Sequence, residues 1–144
     1  MSKVKHWLGF LSVLVCVTGC SSGTETSYSL PQGNAERGKE AFVAFRCYDC
    51  HQVQGVDLPV AEEPNQILVQ LGGEVPKIKT YGELVTAIVN PSHRLAKGYT
   101  EELVARDGQS RMTVYNDGMT VTQLVDLVAF LQSHYQLQPY KPTE

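Results

Sequence analysis

Five consecutive residues, Cys47-Tyr48-Asp49-Cys50-His51, constrain this chain more than any other stretch of it. On a helical turn positions i and i+3 lie on one face, so the two thiols are presented together and the next residue adds a metal-binding nitrogen beside them. A Cys-x-x-Cys pair alone has three chemistries: a redox dithiol, half of a zinc site, or a pair of thioether anchors for the vinyl groups of a porphyrin. The remainder of the chain has to sort them.

Four cysteines are present in all. Lys3 and Lys5 precede an apolar run from Trp7 to Val17. That run is too short for a membrane span, which takes ~20 residues, and suits the core of a signal peptide. It ends in Val17-Thr18-Gly19-Cys20-Ser21, which resembles a bacterial lipobox, whose cysteine becomes the new amino terminus and carries lipid. Residues 1–19 are therefore expected to be removed as a signal peptide, taking Cys16 with them, and Cys20 is the expected lipidation site. Acyl chains holding at ~0.8 kcal/mol per buried methylene would anchor such a chain without spanning. Ser21, rather than Asp, favours the outer membrane, with the domain facing the periplasm. Residues 20–33, rich in Ser, Thr, Gly and Pro, read as a flexible tether. Cys47 and Cys50 are then the only cysteines left in the folded part, in an oxidising compartment. No second pair is at hand for zinc and no βαβ pattern for a thioredoxin-like dithiol. The remaining chemistry is one covalently attached haem c, with His51 placed to bind its iron.

With 144 residues the chain has room for one domain. Losing residues 1–19 removes two lysines and no acid, which leaves ten basic side chains against fifteen acidic ones, formally −5. That balance excludes nucleic acid as an expected partner. Asn34 is a cap for a first helix with Gly38, Ala41, Phe42 and Phe45 at helical spacing, reaching about Arg46. Thr80 and Glu83 form a capping box for a second helix along Tyr81, Leu84, Val85 and Ile88, stopped at Asn90-Pro91. Thr120 and Gln123 form another, opening a helix along Leu124, Leu127, Val128 and Leu131 that the pattern carries to about Tyr135. Thr100 to Arg106 suits a short helix. No β-alternation is visible, so the expected class is all-α: a domain over 34–138 of three to four helices and long loops, then a tail at 139–144. Such loops leave a thin apolar core, and a hollow for the cofactor among the helices is expected.

The occupant of the iron's sixth position decides between electron transfer and substrate chemistry. Beyond His51 the mature chain offers Met112, Met119, His93 and His134. Met119, just ahead of the Thr120 cap, has work as a hydrophobic staple on Leu124. His134 sits near a helix end, where the dipole suits it. Met112, in the loop Gln109-Ser110-Arg111-Met112-Thr113-Val114-Tyr115-Asn116, has no helical face to explain it and is the expected ligand; His93 is the alternative. Arg94, Lys97, Arg106 and Arg111 gather around that loop, either solvated or available for docking.

Residues from Asn34 to about Tyr135 resemble a class I, monohaem bacterial cytochrome c domain. The resemblance is carried by Gly38 and Phe42 before Cys47-Tyr48-Asp49-Cys50-His51, by Val128-Ala129-Phe130-Leu131 in the last helix, and by the 61 positions between His51 and Met112. It implies the cytochrome c fold around one haem, with the last helix's aromatic packed where Gly38 permits close approach. Two departures are visible. Thr113 stands where the family often has Pro after the methionine, and the Gly-Pro whose carbonyl orients the ligand histidine is represented at best by Pro59 or Pro64. The implied activity is single-electron carriage between respiratory redox proteins, with no small-molecule substrate. A haem subunit of a larger oxidoreductase, or a haem sensor or peroxidase, are the alternatives.

Overall fold

The structure, a computed structural model, describes residues 30–62 and 67–139. The signal peptide, Cys20, most of the tether, Pro64 and the tail beyond Pro139 lie outside the described residues. In chain order the elements are α1 (Ala35–Ala44), β1 (His51–Val53), β2 (Val69–Leu71), β3 (Gly73–Val75), α2 (Tyr81–Val89), α3 (Glu101–Val104), β4 (Ala105–Arg106), β5 (Gln109–Ser110), α4 (Val121–Gln132) and β6 (Tyr135–Leu137), with 3-10 turns at Cys47–Asp49 and Pro91–His93.

The frame is the crossing of α1 and α4. Asn34 caps α1 by accepting the Arg37 N–H at 2.9 Å, and the Thr120–Gln123 capping box opens α4, which satisfies amides that a helix start leaves unpaired. Each helix turns its apolar stripe to the other. Gly38 makes their closeness possible: a Cβ there would fall on the Asp126 carbonyl and lie 2.7 Å from the Phe130 Cβ. One turn on, the Phe42 and Phe130 rings meet edge-on with centroids 5.6 Å apart, the arrangement their quadrupoles favour. Gly33 also packs on α4, against the Val125 backbone, so the last residue of the tether already touches the domain. At the start of the crossing Asp126, only 3% exposed, accepts from Arg37 Nε at 2.8 Å, Arg37 Nη2 at 3.0 Å and the Asn34 N–H at 2.6 Å. A buried carboxylate needs such partners.

Helix α2, opened by its Thr80–Glu83 capping box, adds Leu84 and Ile88 to a core that includes Ala41, Phe42, Val53, Leu127, Val128, Phe130 and Leu131. Among the described residues no helix is long and apolar enough to cross a membrane.

The helical class holds, with short strands added that no alternation announces, since none exceeds three residues. β1 and β2 pair in parallel with His51 opposite Val69; β3 and β6 pair in parallel with Gly73 opposite Tyr135; β4 and β5 form an antiparallel hairpin. The hairpin turns on Asp107 and Gly108, both at positive φ (52° and 73°), the geometry that matches the twist of tight hairpins. Two helices end earlier than their patterns suggest. α1 stops at Ala44 because Arg46 adopts a left-handed conformation, φ 54°. α4 stops at Gln132, where Ser133 Oγ and His134 Nδ1 both reach the Phe130 carbonyl, and Tyr135 joins β3 instead.

Candidate functional site

The left-handed Arg46 throws the chain directly from α1 into the 3-10 turn Cys47–Asp49, closed by the Asp49 N–H on the Arg46 carbonyl at 3.0 Å and the Cys50 N–H on the Cys47 carbonyl at 3.2 Å. Positions i and i+3 eclipse in such a turn, so Cys47 and Cys50 come to one side. The turn is braced from outside: Arg46 Nε donates to Asp49 Oδ2 at 2.9 Å, and the guanidinium lies over the Tyr48 ring at 5.9 Å. Burial pushes the Cys47 thiol up to about 11 and raises that of Cys50 as well, with Asp49 adding to it. Neither is the depressed, thiolate-forming cysteine that dithiol exchange uses. Among the described residues no group of three or more His, Cys, Asp or Glu side chains gathers to hold a metal ion, which leaves the pair without the partners a zinc site requires.

His51 begins β1. Strand alternation places its side chain on the same face as the fully buried Val53, while Gln52 between them is exposed. Burial lowers the pKa of the imidazole, and the backbone of Val69 opposite pulls it the other way. The neutral ring is the form that ligates iron, and its Nδ1 is buried with no hydrogen-bond partner. Two thiols on one side of a turn and a half-buried imidazole next to them, whose buried Nδ1 has no hydrogen-bond partner, fit a thioether-linked haem. The backbone that runs beside His51 is that of Val69; Pro59 is exposed at the surface.

The loop after β5 returns to this turn. Met112 is half-buried, its N–H held by Ser110 Oγ at 3.1 Å. Arg111 before it acts on the Cys50 thiol as a positive neighbour, while its Nη1 donates to the Glu102 carbonyl at 3.2 Å. Tyr115 after it donates its hydroxyl to the Phe45 carbonyl at 2.8 Å, and the two rings meet at a tilt of 49° with centroids 5.1 Å apart. Burial raises the Tyr115 phenol, a hydrogen bond with the Thr113 side chain opposes that, and Cys47, Asp49 and Cys50 add smaller upward contributions. Met112 is thus bracketed by two residues that sense the motif.

His93 is exposed at the end of its 3-10 turn, which Ser92 joins to β5 by accepting the Ser110 N–H at 3.0 Å. Met119 packs on the core along with Leu124. His134 is held at the end of α4, its Nδ1 2.7 Å from the Phe130 carbonyl and its ring edge-on to Phe130. Of the basic residues, Arg94 sits 3.9 Å from Glu83. Arg106 and Arg111 line a cleft of about 390 Å³ with Glu101, Glu102, Ala105 and Asp107. That cleft is beside the β4–β5 hairpin and not among the helices, so it is not the hollow expected for the cofactor. Sequence reading gave no role to Arg46 or Tyr115, although each stands within three residues of a candidate ligand.

The family model for cytochrome c matches residues 35–134, from the first residue of α1 to two residues past the end of α4. The chain belongs to the cytochrome c family. No curated protein and no solved structure matches it. As a member of this family the cytochrome binds covalent haem c, with Cys47 and Cys50 in the Cys-x-x-Cys-His motif, and is an electron-transfer haem protein whose partners are redox proteins. The matched segment coincides with the α1–α4 frame and everything it encloses.

Proposed function

We propose that this cytochrome is a membrane-tethered carrier that moves single electrons between respiratory redox proteins on the periplasmic side. Cys47 and Cys50 would hold the haem through thioethers, and His51 and Met112 would bind its iron. Bound haem supplies one electron at a time by cycling between ferrous and ferric iron. The protein's part is to choose the ligands and set their surroundings. The Met112 thioether is a soft ligand that favours the reduced metal relative to a second imidazole, and the apolar side chains of the core push the same way. With His51 and Met112 both bound to the iron, oxygen or peroxide would have to displace one of them, which separates a carrier from a sensor or peroxidase. The observation that carries this reading is the return of the Met112 loop to the motif, with the Tyr115 hydroxyl bonded to the Phe45 carbonyl two residues before Cys47.

The tether rests on sequence. Val17-Thr18-Gly19-Cys20-Ser21 supports lipidation at Cys20, Ser21 favours the outer membrane, and residues 20–33 give the domain reach. The deciding experiment is absorption spectroscopy of the matured protein beside Met112→Ala and His93→Ala. The weak far-red band of methionine-bound ferric iron should be present in the parent, lost in Met112→Ala and kept in His93→Ala. A band absent from the parent, or kept in Met112→Ala, removes Met112. Growth with labelled fatty acid should label the parent and not Cys20→Ala. A haem subunit of a larger oxidoreductase would instead co-purify with a catalytic partner in equal amount.

A further inference from the structure

The loop between β5 and α4 has no regular structure of its own, and Val114 in it is 57% exposed. Its order comes from a few bonds, and three of them converge on one residue. The Tyr115 carbonyl accepts the N–H groups of Gly118 at 2.9 Å and Met119 at 2.8 Å, which fixes the loop to the start of α4. The Tyr115 side chain goes the other way, across 70 positions of sequence, to the Phe45 carbonyl at 2.8 Å. Phe45 caps the C-terminus of α1, where helix carbonyls lack intrahelical donors, so the hydroxyl fills a need as well as making a link. Asn116 does something similar at the end of α2, donating to the Val89 carbonyl at 2.9 Å. Only the Tyr115 link ends beside the haem motif.

We infer that Tyr115 is the positioning residue of the sixth ligand: its hydroxyl, bonded to the Phe45 carbonyl, holds the Met112 loop closed over the motif. The inference rests on Met112 being that ligand. Without the bond, opening the loop costs less, and a small molecule competing for the Met112 position gains what the protein has lost. The tilted ring contact with Phe45 remains in Tyr115→Phe, so that variant isolates the hydroxyl. One net hydrogen bond corresponds to about a tenfold change in an equilibrium.

The test titrates the ferric holoprotein with imidazole, following the far-red band. Tyr115→Phe should bind imidazole about tenfold more tightly than the parent, and should lose the band in denaturant well before its helical circular dichroism. Tyr99→Phe is the control: its hydroxyl bridges the Leu68 carbonyl and the Gln70 N–H, away from the loop, and its removal should leave imidazole affinity at the parent value. Parent-like imidazole affinity in Tyr115→Phe, with the band present in both, would overturn the positioning role while leaving Met112 as ligand. An equal gain in Tyr99→Phe would overturn it too, by showing general loosening. A parent without the band would overturn the ligand assignment and this inference together.

Discussion

The α1–α4 crossing and the loop that carries Met112 are built on opposite principles. The crossing is held by close-packed side chains on two capped helices, with Gly38 against the Asp126 backbone, Phe42 on Phe130, and a buried carboxylate fully engaged. No residue of the loop is fully buried; it is held by single bonds, the Met112 N–H on Ser110 Oγ, Arg111 on the Glu102 carbonyl of α3, Tyr115 on the Phe45 carbonyl and Asn116 on the Val89 carbonyl. A packed interface resists deformation in every direction, whereas a loop on a few bonds can be released by losing one. On the ligation proposed above, His51 and its cysteines are fixed beside the rigid part and Met112 is carried on the part that can yield.

Substitutions can break that contrast, beginning with the largest effect. Phe130→Ala should cost about 3–5 kcal/mol of folding stability, seen as an early midpoint in denaturant, and the released packing should carry haem exposure with it. Gly38→Ala comes next. Its added Cβ meets backbone and not a movable side chain, so overpacking should cost about 3 kcal/mol, again by denaturant midpoint. If either left stability unchanged, the crossing would not be the frame. Thr120→Ala, which removes the α4 cap, should cost about 1 kcal/mol by the same measurement.

Acid gives the smallest and most graded effect. The Thr80 N–H and hydroxyl hold the Glu83 carboxyl at about 2 instead of 4.5. The Arg37 guanidinium, then the Asn34 N–H, hold Asp126 below the usual carboxylate range. Both values are lower in the folded state, so both groups stabilise fully above the unfolded values, and that stabilisation is lost as pH falls through the folded ones. Thermal midpoints should decline between about pH 4.5 and 2. Glu83→Gln, which keeps a capping-box residue but cannot titrate there, should show a shallower decline.

What the sequence makes legible is what neighbours in the chain decide. Asn34, Thr80–Glu83 and Thr120–Gln123 declare their helices because a cap and its amide are three residues apart. The cysteine pair and His51 are legible for the same reason, and Gly38 is legible through the cytochrome c resemblance. The pairing of His51 with Val69 is not, because strands of three residues leave no alternation to read. Neither is the early end of α1, since nothing in Arg46 itself demands a left-handed backbone. Asp126 hides within an apolar face, where only its long-range partners Asn34 and Arg37 explain it. The Tyr115 bond joins residues 70 positions apart and leaves no local trace.

The most direct measurement is the mass of the tryptic peptide that runs from Cys47, just after Arg46, to Lys77, taken from protein matured in its own export pathway. Covalent attachment at Cys47 and Cys50 predicts a coloured peptide heavier than its amino acids by one haem, and a colourless one in a Cys47→Ser, Cys50→Ser double variant. A parent peptide at its bare amino-acid mass would contradict the account.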